Sequence, residues 1–282
     1  MIFQTFSPSP YLAQYVEAIH LRHFEFAPGA TIPFKPYHAR AEECLTLFIL
    51  GNEATEFVTE RRTVLRHRAE FSGRFSVRTN RHISHNFLVL IINFRPGVLF
   101  RLTGIPSWHF TNTAIDAELI FPGEIPALVF RLNSTDQYNE MVTLAEHFLS
   151  VIIRKHLRPA HKLDHVCNLI MTCPHNLSLD WIADQTNLSP RQLQRRFIER
   201  LGIGPKILSR LARFDKAARW KYLHSDHDWL QIAIGCGYHD YSHLVRDSKD
   251  FAGSLPNILF KQDELAPERH FKDMHPELYM TV

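Results

Sequence analysis

Between Leu179 and Pro205 the chain reads LDWIADQTNLSPRQLQRRFIERLGIGP, and arginine and glutamine recur there on a strict apolar spacing. Leu193 and Phe197 are four residues apart and share one face of a helix. Arg191, Gln194 and Arg195 lie off that face. Arginine and glutamine make paired hydrogen bonds to guanine and adenine edges in the major groove, which admits one helix. Residues of these types on an outward helical face point to the reading of double-stranded DNA. Ser178 and Ser189 stand at helix-capping positions, with Pro190 at the first helical position and Gln192 three residues after the second cap. The turn TNL joins the two helices, and Leu188 enters just before the second cap. Two helices joined in this way form the helix-turn-helix pattern. A plain helical hairpin with a solvated basic face fits the single copy as well.

The pattern occurs twice. Ile182 and Ala183 precede Ile232 and Ala233 by 50 residues, and Leu193, Arg195, Gly202 and Pro205 precede Leu244, Arg246, Gly253 and Pro256 by 51. One extra residue in the second connecting turn accounts for the slip, so the segment holds two copies of one unit. In the second copy Gly235 and Gly237 permit a close turn, and Asp240 caps a helix that starts at Tyr241. Between the copies, Leu208, Leu211, Phe214, Ala218 and Leu223 form an apolar stripe that predicts one long helix. Such a spacer would fix two reading helices in successive major grooves, about 34 Å apart.

These segments resemble the DNA-binding domain of AraC/XylS-family transcriptional regulators. LSPRQLQRRF and IAIGCGYHDYSHLVR, the latter followed by Lys249, Phe251, Gly253 and Pro256, carry the resemblance over residues 177–257. FRPG at Phe94 to Gly97, followed by LTGIP, resembles the amino-terminal part of one branch of the family. The resemblance implies seven helices, two helix-turn-helix units on one duplex, and control of transcription, as an activator, through RNA polymerase. It places the groove-facing positions at Arg191, Gln194 and Arg195 in the first unit and at Ser242, Val245 and Arg246 in the second. Contacts to the DNA backbone are expected from Ser178, Ser189, Arg196, Arg200 and Asp240, although Arg196 and Arg200 are also placed for acidic neighbours. Where the family usually has an aromatic ring this chain has Ser248, so Tyr238, Leu244 and Phe251 are expected to carry the core of that unit.

Charge separates the copies. Residues 178–222 hold ten Lys or Arg against four Asp or Glu, a net of +6. Residues 226–256 hold Arg246 and Lys249 against Asp226, Asp228, Asp240, Asp247 and Asp250, a net of −3. Phosphate contact supplies most non-specific affinity, so the second unit is expected to bind DNA weakly by itself. His227, His239 and His243 add charge only when protonated.

The rest of the chain must position these units. Up to about Phe130 it is rich in short β-prone runs: CLTLFIL (44–50), ATEFVT (54–59), RFSVRT (74–79) and FLVLIINF (87–94) are candidate strands. The fold class expected is α+β. A mostly antiparallel barrel or sandwich is followed by a helix over YNEMVTLAEHFLSVIIRKHL, a hinge at RPAHKLD, and an all-α domain whose two units are joined by a long helix. The domains read as 1–160 for regulation and dimerisation, 161–260 for DNA binding, and 261–282 as a tail. Phe71, Phe75, Phe87, Phe94, Phe100 and Trp108 fit a core as well as a pocket, so an effector of unknown identity and a homodimer are both expected of the first domain. A net charge of +3 and 45% hydrophobic residues are ordinary for a globular protein, and four cysteines are too few for a disulfide scaffold. The longest apolar run, eight residues, is shorter than a membrane span, and MIFQTFSPSPYLAQYV lacks the pattern of a signal peptide. A cytoplasmic protein without membrane contact is the expectation.

Eighteen histidines invite a metal reading. His161, His165, Cys167, Cys173 and His175 offer zinc-type donors, but without a close Cys-x-x-Cys pair, and on a helix His165 and Cys167 face apart. His38 with Glu42, and His82 with His85, are weaker candidates, and no cofactor or metal is expected. No P-loop, dinucleotide fingerprint, Gly-x-Ser-x-Gly or His-Glu-x-x-His is present, so no enzyme activity is expected. The alternative to a regulator is a protein-interaction module with a ligand-binding, non-enzymatic β domain and no sequence-specific DNA binding.

Overall fold

The computed structural model describes residues 2–172 and 178–264. Ten strands open the chain: β1 (Ile2–Phe6), β2 (Val16–Glu25), β3 (Lys35–Tyr37), β4 (Glu43–Leu50), β5 (Glu53–Phe57), β6 (Arg62–Leu65), β7 (Ala69–Ser72), β8 (Thr79–Ile83), β9 (Asn86–Phe94) and β10 (Ala114–Asp116). They form a six-stranded sheet in the order β1-β2-β9-β4-β7-β10 and a four-stranded sheet in the order β3-β8-β5-β6. All pairings are antiparallel. Strand β9 is apolar from Phe87 to Ile92 because both of its faces are covered there. Leu88, Leu90 and Ile92 join the main core, whereas Phe87 and Val89 join Phe24 and Phe48 in a second cluster toward Ile83 of the smaller sheet.

The main core is closed by helices α1 (Val98–Thr103), α2 (Ala117–Ile120), α3 (Glu124–Leu132) and α4 (Tyr138–His156), with a 3-10 turn at Ser107–Phe110. Leu99, Leu128, Phe148, Leu149 and Ile152 pack there against Ile19, Leu45, Leu90 and Ile92. The expected α+β architecture is the one observed, and β4, β5 and β9 fall on the candidate strands. RFSVRT does not. It makes one isolated bridge, Phe75 to Arg40, before β8 begins at Thr79. Ser76 N–H donates to Asn112 Oδ1 at 2.7 Å, so a side chain satisfies backbone that a neighbouring strand would otherwise pair.

Seven helices follow among the described residues: α5 (Lys162–Thr172), α6 (Leu179–Thr186), α7 (Pro190–Leu201), α8 (Pro205–Leu223), α9 (Trp229–Gly235), α10 (Tyr241–Ala252) and α11 (Pro256–Glu264). Their core runs from Leu163 to Leu259 and takes in Ala39 and Ala41 from the loop before β4. The two parts of the chain therefore pack on each other. No helix among the described residues is long and apolar enough to cross a membrane.

Candidate nucleic-acid interface

The first unit is α6 and α7. Ser178 Oγ accepts from Trp181 N–H at 3.1 Å and starts α6. Asn187, at φ 53°, ends it in the left-handed region. Ser189 and Gln192 then form a reciprocal capping box, Ser189 N–H donating to Gln192 Oε1 at 3.0 Å. An N-cap of this type contributes about 1 kcal/mol. Leu193 and Phe197 are buried, which turns Arg191, Gln194 and Arg195 outward, and all three are exposed. Arg191 and Arg195 form no ion pair or hydrogen bond among the described residues. Glu199, four residues after Arg195, pairs instead with Arg196 at 2.7 Å. The Gln194 amide lies beside Gly204, where an added Cβ would stand 2.7 Å from Nε2.

The second unit is α9 and α10. Asp228 and Gln231 form its first capping box, and Asp240 accepts from His243 N–H at 3.0 Å to start α10. Gly237, at φ 81°, makes the turn between them. Gly235 is needed for a different reason: it closes α9 against Trp220, whose ring would stand 2.9 Å from a Cβ there. Leu244 and Phe251 are buried, so Ser242 and Arg246 are exposed and Val245 is half-buried. The three positions share one face, and Arg246 is the strong hydrogen-bond donor among them. Ser248 is fully buried and its hydroxyl donates to the Ser254 carbonyl at 2.7 Å.

Two of the expected backbone contacts are corrected. Arg200 is 8% exposed and makes a two-pronged pair with Asp164, at 2.8 and 2.6 Å, while its guanidinium lies over the Phe100 ring at 4.8 Å. A side chain held in this way cannot reach a phosphate. Asp240 carries a carboxylate whose pKa is pulled down to about 2, first by the His243 backbone N–H. It is anionic and offers DNA no donor, so its role is that of a cap. Ser178, Ser189 and Arg196 are exposed, with their side chains engaged as caps and in the Glu199 pair.

The regional charges also need correction. Arg210 of α8 binds Asp247 at 2.7 Å and also pairs with Asp250. Burial lowers the Arg210 pKa, but the hydrogen bonds it donates to Asp250 and Asp247 outweigh this and leave the group raised. Tyr238 OH donates to Asp247 at 3.0 Å, and Arg213 lies over the Tyr238 ring. Two of the five acids of the second unit are thus consumed inside the domain, together with part of the first region's surplus of arginine.

Sequence reasoning missed what holds the units in place. Arg74, 1% exposed, pairs with buried Glu43 at 2.5 Å and donates to the Leu201 carbonyl of α7 at 2.9 Å. Ser107 Oγ donates to the Arg200 carbonyl at 2.8 Å. Gly97 of FRPG sits on the same seam: its φ is +82°, and a Cβ would stand within 2.4 Å of an Asp164 oxygen. A second seam joins His38 to Asp215 at 3.2 Å and Glu42 to Arg219 at 2.9 Å. Burial raises the pKa of Asp215, but the Arg219 charge outweighs it and holds the group well below the usual carboxylate range. The signal available in sequence was modest: charged Glu43 opens a β-strand and Asp164 lies within an apolar helix.

Among the described residues, the candidate donors weighed from the sequence lie as follows. On α5, Cys167 is fully buried while His165 is exposed; Cys173 and His175 lie outside the described residues. His38 and Glu42 are committed to the second seam, His82 pairs with Glu56, and His85 lies against the Ala30 carbonyl.

The helix-turn-helix domain family matches residues 182–262. No curated protein matches the chain. Among solved structures, ToxT from Vibrio cholerae O395 is 12% identical, with 86% of this chain and 97% of that chain covered and a TM-score of 0.47. Unsaturated fatty acid-bound wild-type ToxT from Vibrio cholerae strain SCE256 gives 12%, 86%, 95% and 0.45. An AraC-type regulator from Chromobacterium violaceum gives 25%, 38%, 93% and 0.33. The duplicated capped hairpins fall within the segment matched by the helix-turn-helix family, so the carboxyl-terminal part of this chain is a helix-turn-helix domain.

Proposed function

We propose that the chain reads a two-part operator through α7 and α10, with Arg191, Gln194 and Arg195 contacting bases in one part and Ser242, Val245 and Arg246 in the other. The observation that carries this is the pair of outward faces built at matching positions of two units, with Arg195 and Arg246 51 residues apart and both exposed. Selection from a random duplex library tests it: the expected product is a motif in two blocks about one helical turn apart. Recovery of no motif at low salt would overturn it and favour the protein-interaction module.

The amino-terminal domain is proposed to take a small, largely apolar anion in the cleft between its sheets. Phe24 and Phe87 line that cleft together with Arg22, Lys35 and Arg81, and with Glu53, which pairs with Arg81 at 2.9 Å. Thermal shift of the protein against a panel of medium- and long-chain carboxylates tests this, and no shift with any of them would overturn it. A homodimer through the same domain is supported by Leu119 and Phe130, 78% and 75% exposed on neighbouring helices. Sedimentation is expected to give a dimer at micromolar concentration that Phe130→Asp dissociates; a monomeric wild-type chain would overturn it. Contact with RNA polymerase belongs to the same reading and is tested by pull-down of the holoenzyme on operator DNA, whose absence would remove it.

A further inference from the structure

We propose that His239, Asp240 and His243 form a zinc-type metal site at the entrance of α10, and that the bound cation supplies a DNA-phosphate contact to the second unit. The inference rests on the DNA-binding reading above. Its geometry is independent of that reading. His239 ends the turn, Asp240 caps the helix and His243 lies one turn in, so a His-x3-His spacing brackets a carboxylate. One ligand atom from each residue lies within 4.8 Å of the other two. His243 Nδ1 is 3.0 Å and His239 Nδ1 3.4 Å from the Asp240 carboxylate.

The donor set selects the metal. Two imidazoles and one carboxylate suit zinc and its neighbours in the first transition row, while magnesium and calcium require oxygen shells. Three protein ligands leave the fourth tetrahedral position open, and a phosphate oxygen can take it. The carboxylate is anionic at neutral pH, as an exposed aspartate ordinarily is. Among the described residues its ion-pair partners are these two histidines alone. The positive end of α10 disfavours a cation at its start, and the Asp240 charge offsets that. His239 is 88% exposed and therefore free to turn its ring toward a ligand.

A similar cluster, His224, Asp226 and His227, serves as the contrast. There Lys221 Nζ donates to the carbonyls of Ser225 and His227 at 2.7 and 2.6 Å, fixing an ammonium in the same turn. The two rings also stack face to face, 5.0 Å apart and 14° from parallel, so their in-plane lone pairs do not converge. A divalent ion is repelled from that turn and accepted at the mouth of α10.

The position gives the site its role. Apart from the ligands, the outward face of this unit offers Ser242, Val245 and Arg246, with Lys249 beyond them. An unneutralised Asp240 beside that face repels phosphate. A dication converts the repulsion into an attraction at the place where a helix start meets the DNA backbone.

The test uses the full chain, zinc chloride or cobalt chloride as probe, and the exposed pair His239→Gln/His243→Gln, which leaves the Asp240 cap in place. Zinc titration is expected to lose one equivalent in the double variant but not in His224→Gln/His227→Gln, with the cobalt d–d band of a tetrahedral site lost in parallel. Affinity for duplex DNA is expected to fall about tenfold when chelator is added to wild type, and to be chelator-insensitive in the double variant. Unchanged zinc stoichiometry in the double variant, or zinc binding with no chelator effect on DNA affinity, would overturn the proposal. Absence of DNA binding with and without zinc, while the equivalent is still lost in the double variant, would instead sink the DNA-binding reading.

Discussion

Phe197 and Ser248 occupy the same position in two copies of one unit, 51 residues apart, and both are fully buried. One is a ring and the other a hydroxyl. The ring of the second unit has moved one helical turn along, to Phe251, whose counterpart in the first unit is Arg200. In the first unit, then, the position one turn past the core ring carries a charge that reaches Asp164 and Phe100. In the second it carries a ring that meets Phe214 and lies under Arg210 of α8. A hydroxyl fits at Ser248 because it satisfies the Ser254 carbonyl instead of filling volume. The same backbone plan is thus anchored differently. The first unit is held by α5, through Arg200 and Asp164, and by the amino-terminal side, through Arg74, Ser107 and Phe100. The second is held mainly by the spacer helix, with one added hydrogen bond from Ala39 N–H to the Phe251 carbonyl. A change in the amino-terminal domain has its most direct route to the first reader.

The largest expected effect breaks that anchor. Arg200→Ala leaves Asp164, 7% exposed, without its partner, and is expected to destabilise the protein by about 3–5 kcal/mol. Arg210→Ala is expected to cost less, because the Arg210 side chain is 24% exposed and water can replace part of its contact with Asp250. Urea denaturation of both variants measures the difference. Equal losses would mean that the two units are anchored alike.

Next in size is the loss at the DNA. Arg195→Ala is expected to cost more total affinity than Arg246→Ala, each relaxing preference at its own base pairs by about 1–3 kcal/mol. The asymmetry follows from the neighbours: Arg191 stands unpaired one turn before Arg195, whereas Ser242 holds the matching place before Arg246. Binding curves against a cognate site and its single-base variants decide it. A greater loss from Arg246→Ala would reverse the division of labour. Arg196→Ala is expected to change the salt dependence only slightly, since Glu199 already neutralises that guanidinium.

What could be read from the sequence was the local part of this comparison. Ser189, Pro190 and Gln192 specify a helix start within four residues, and Leu193 with Phe197 sets its inward face, so the outward positions follow by geometry. Strand β9 was visible for a similar reason, as an apolar run interrupted only at Asn93. Arg200 was misread because its partner is 36 residues away, and an arginine one turn past a reading face looks the same whether it meets a phosphate or a buried aspartate. RFSVRT has the alternation of a strand, but the Asn112 side chain takes the backbone donor that a strand would pair. Glu43, Arg74 and Leu201 meet only after both domains are folded, and nothing in their immediate sequence marks the meeting. Charge counts by segment failed likewise, because Arg210 neutralises acids that belong to the other unit.

A smaller effect separates the buried hydroxyl from the buried ring. Ser248→Ala is expected to destabilise by about 1 kcal/mol, the cost of one hydrogen bond whose carbonyl acceptor is left unpaired. Phe197→Ala, which empties a ring-sized volume, is expected to cost about 3–5 kcal/mol. Thermal unfolding of the two variants gives the ratio. A Ser248→Ala protein as unstable as Phe197→Ala would show that the hydroxyl carries the packing of its unit.

The smallest effect concerns the caps. The first unit starts its reading helix with the hydroxyl of Ser189, which does not titrate, and the second with the carboxylate of Asp240. The folded Asp240 value, about 2, lies below the ordinary aspartate value of 3.8, so its folded form binds fewer protons than the unfolded chain between those limits. Stability from this cap is therefore fully present above about pH 4 and is lost as pH falls toward 2. With chelator present to remove any bound cation, Asp240→Ser is expected to melt slightly below wild type at pH 7. The gap should narrow between pH 4 and pH 3, because only the wild-type cap is being protonated. Ser189→Asp makes the reciprocal change and is expected to introduce the same dependence into the first unit. A wild-type gap that stays constant over that interval would mean that Asp240 holds α10 through its shape and not through its charge.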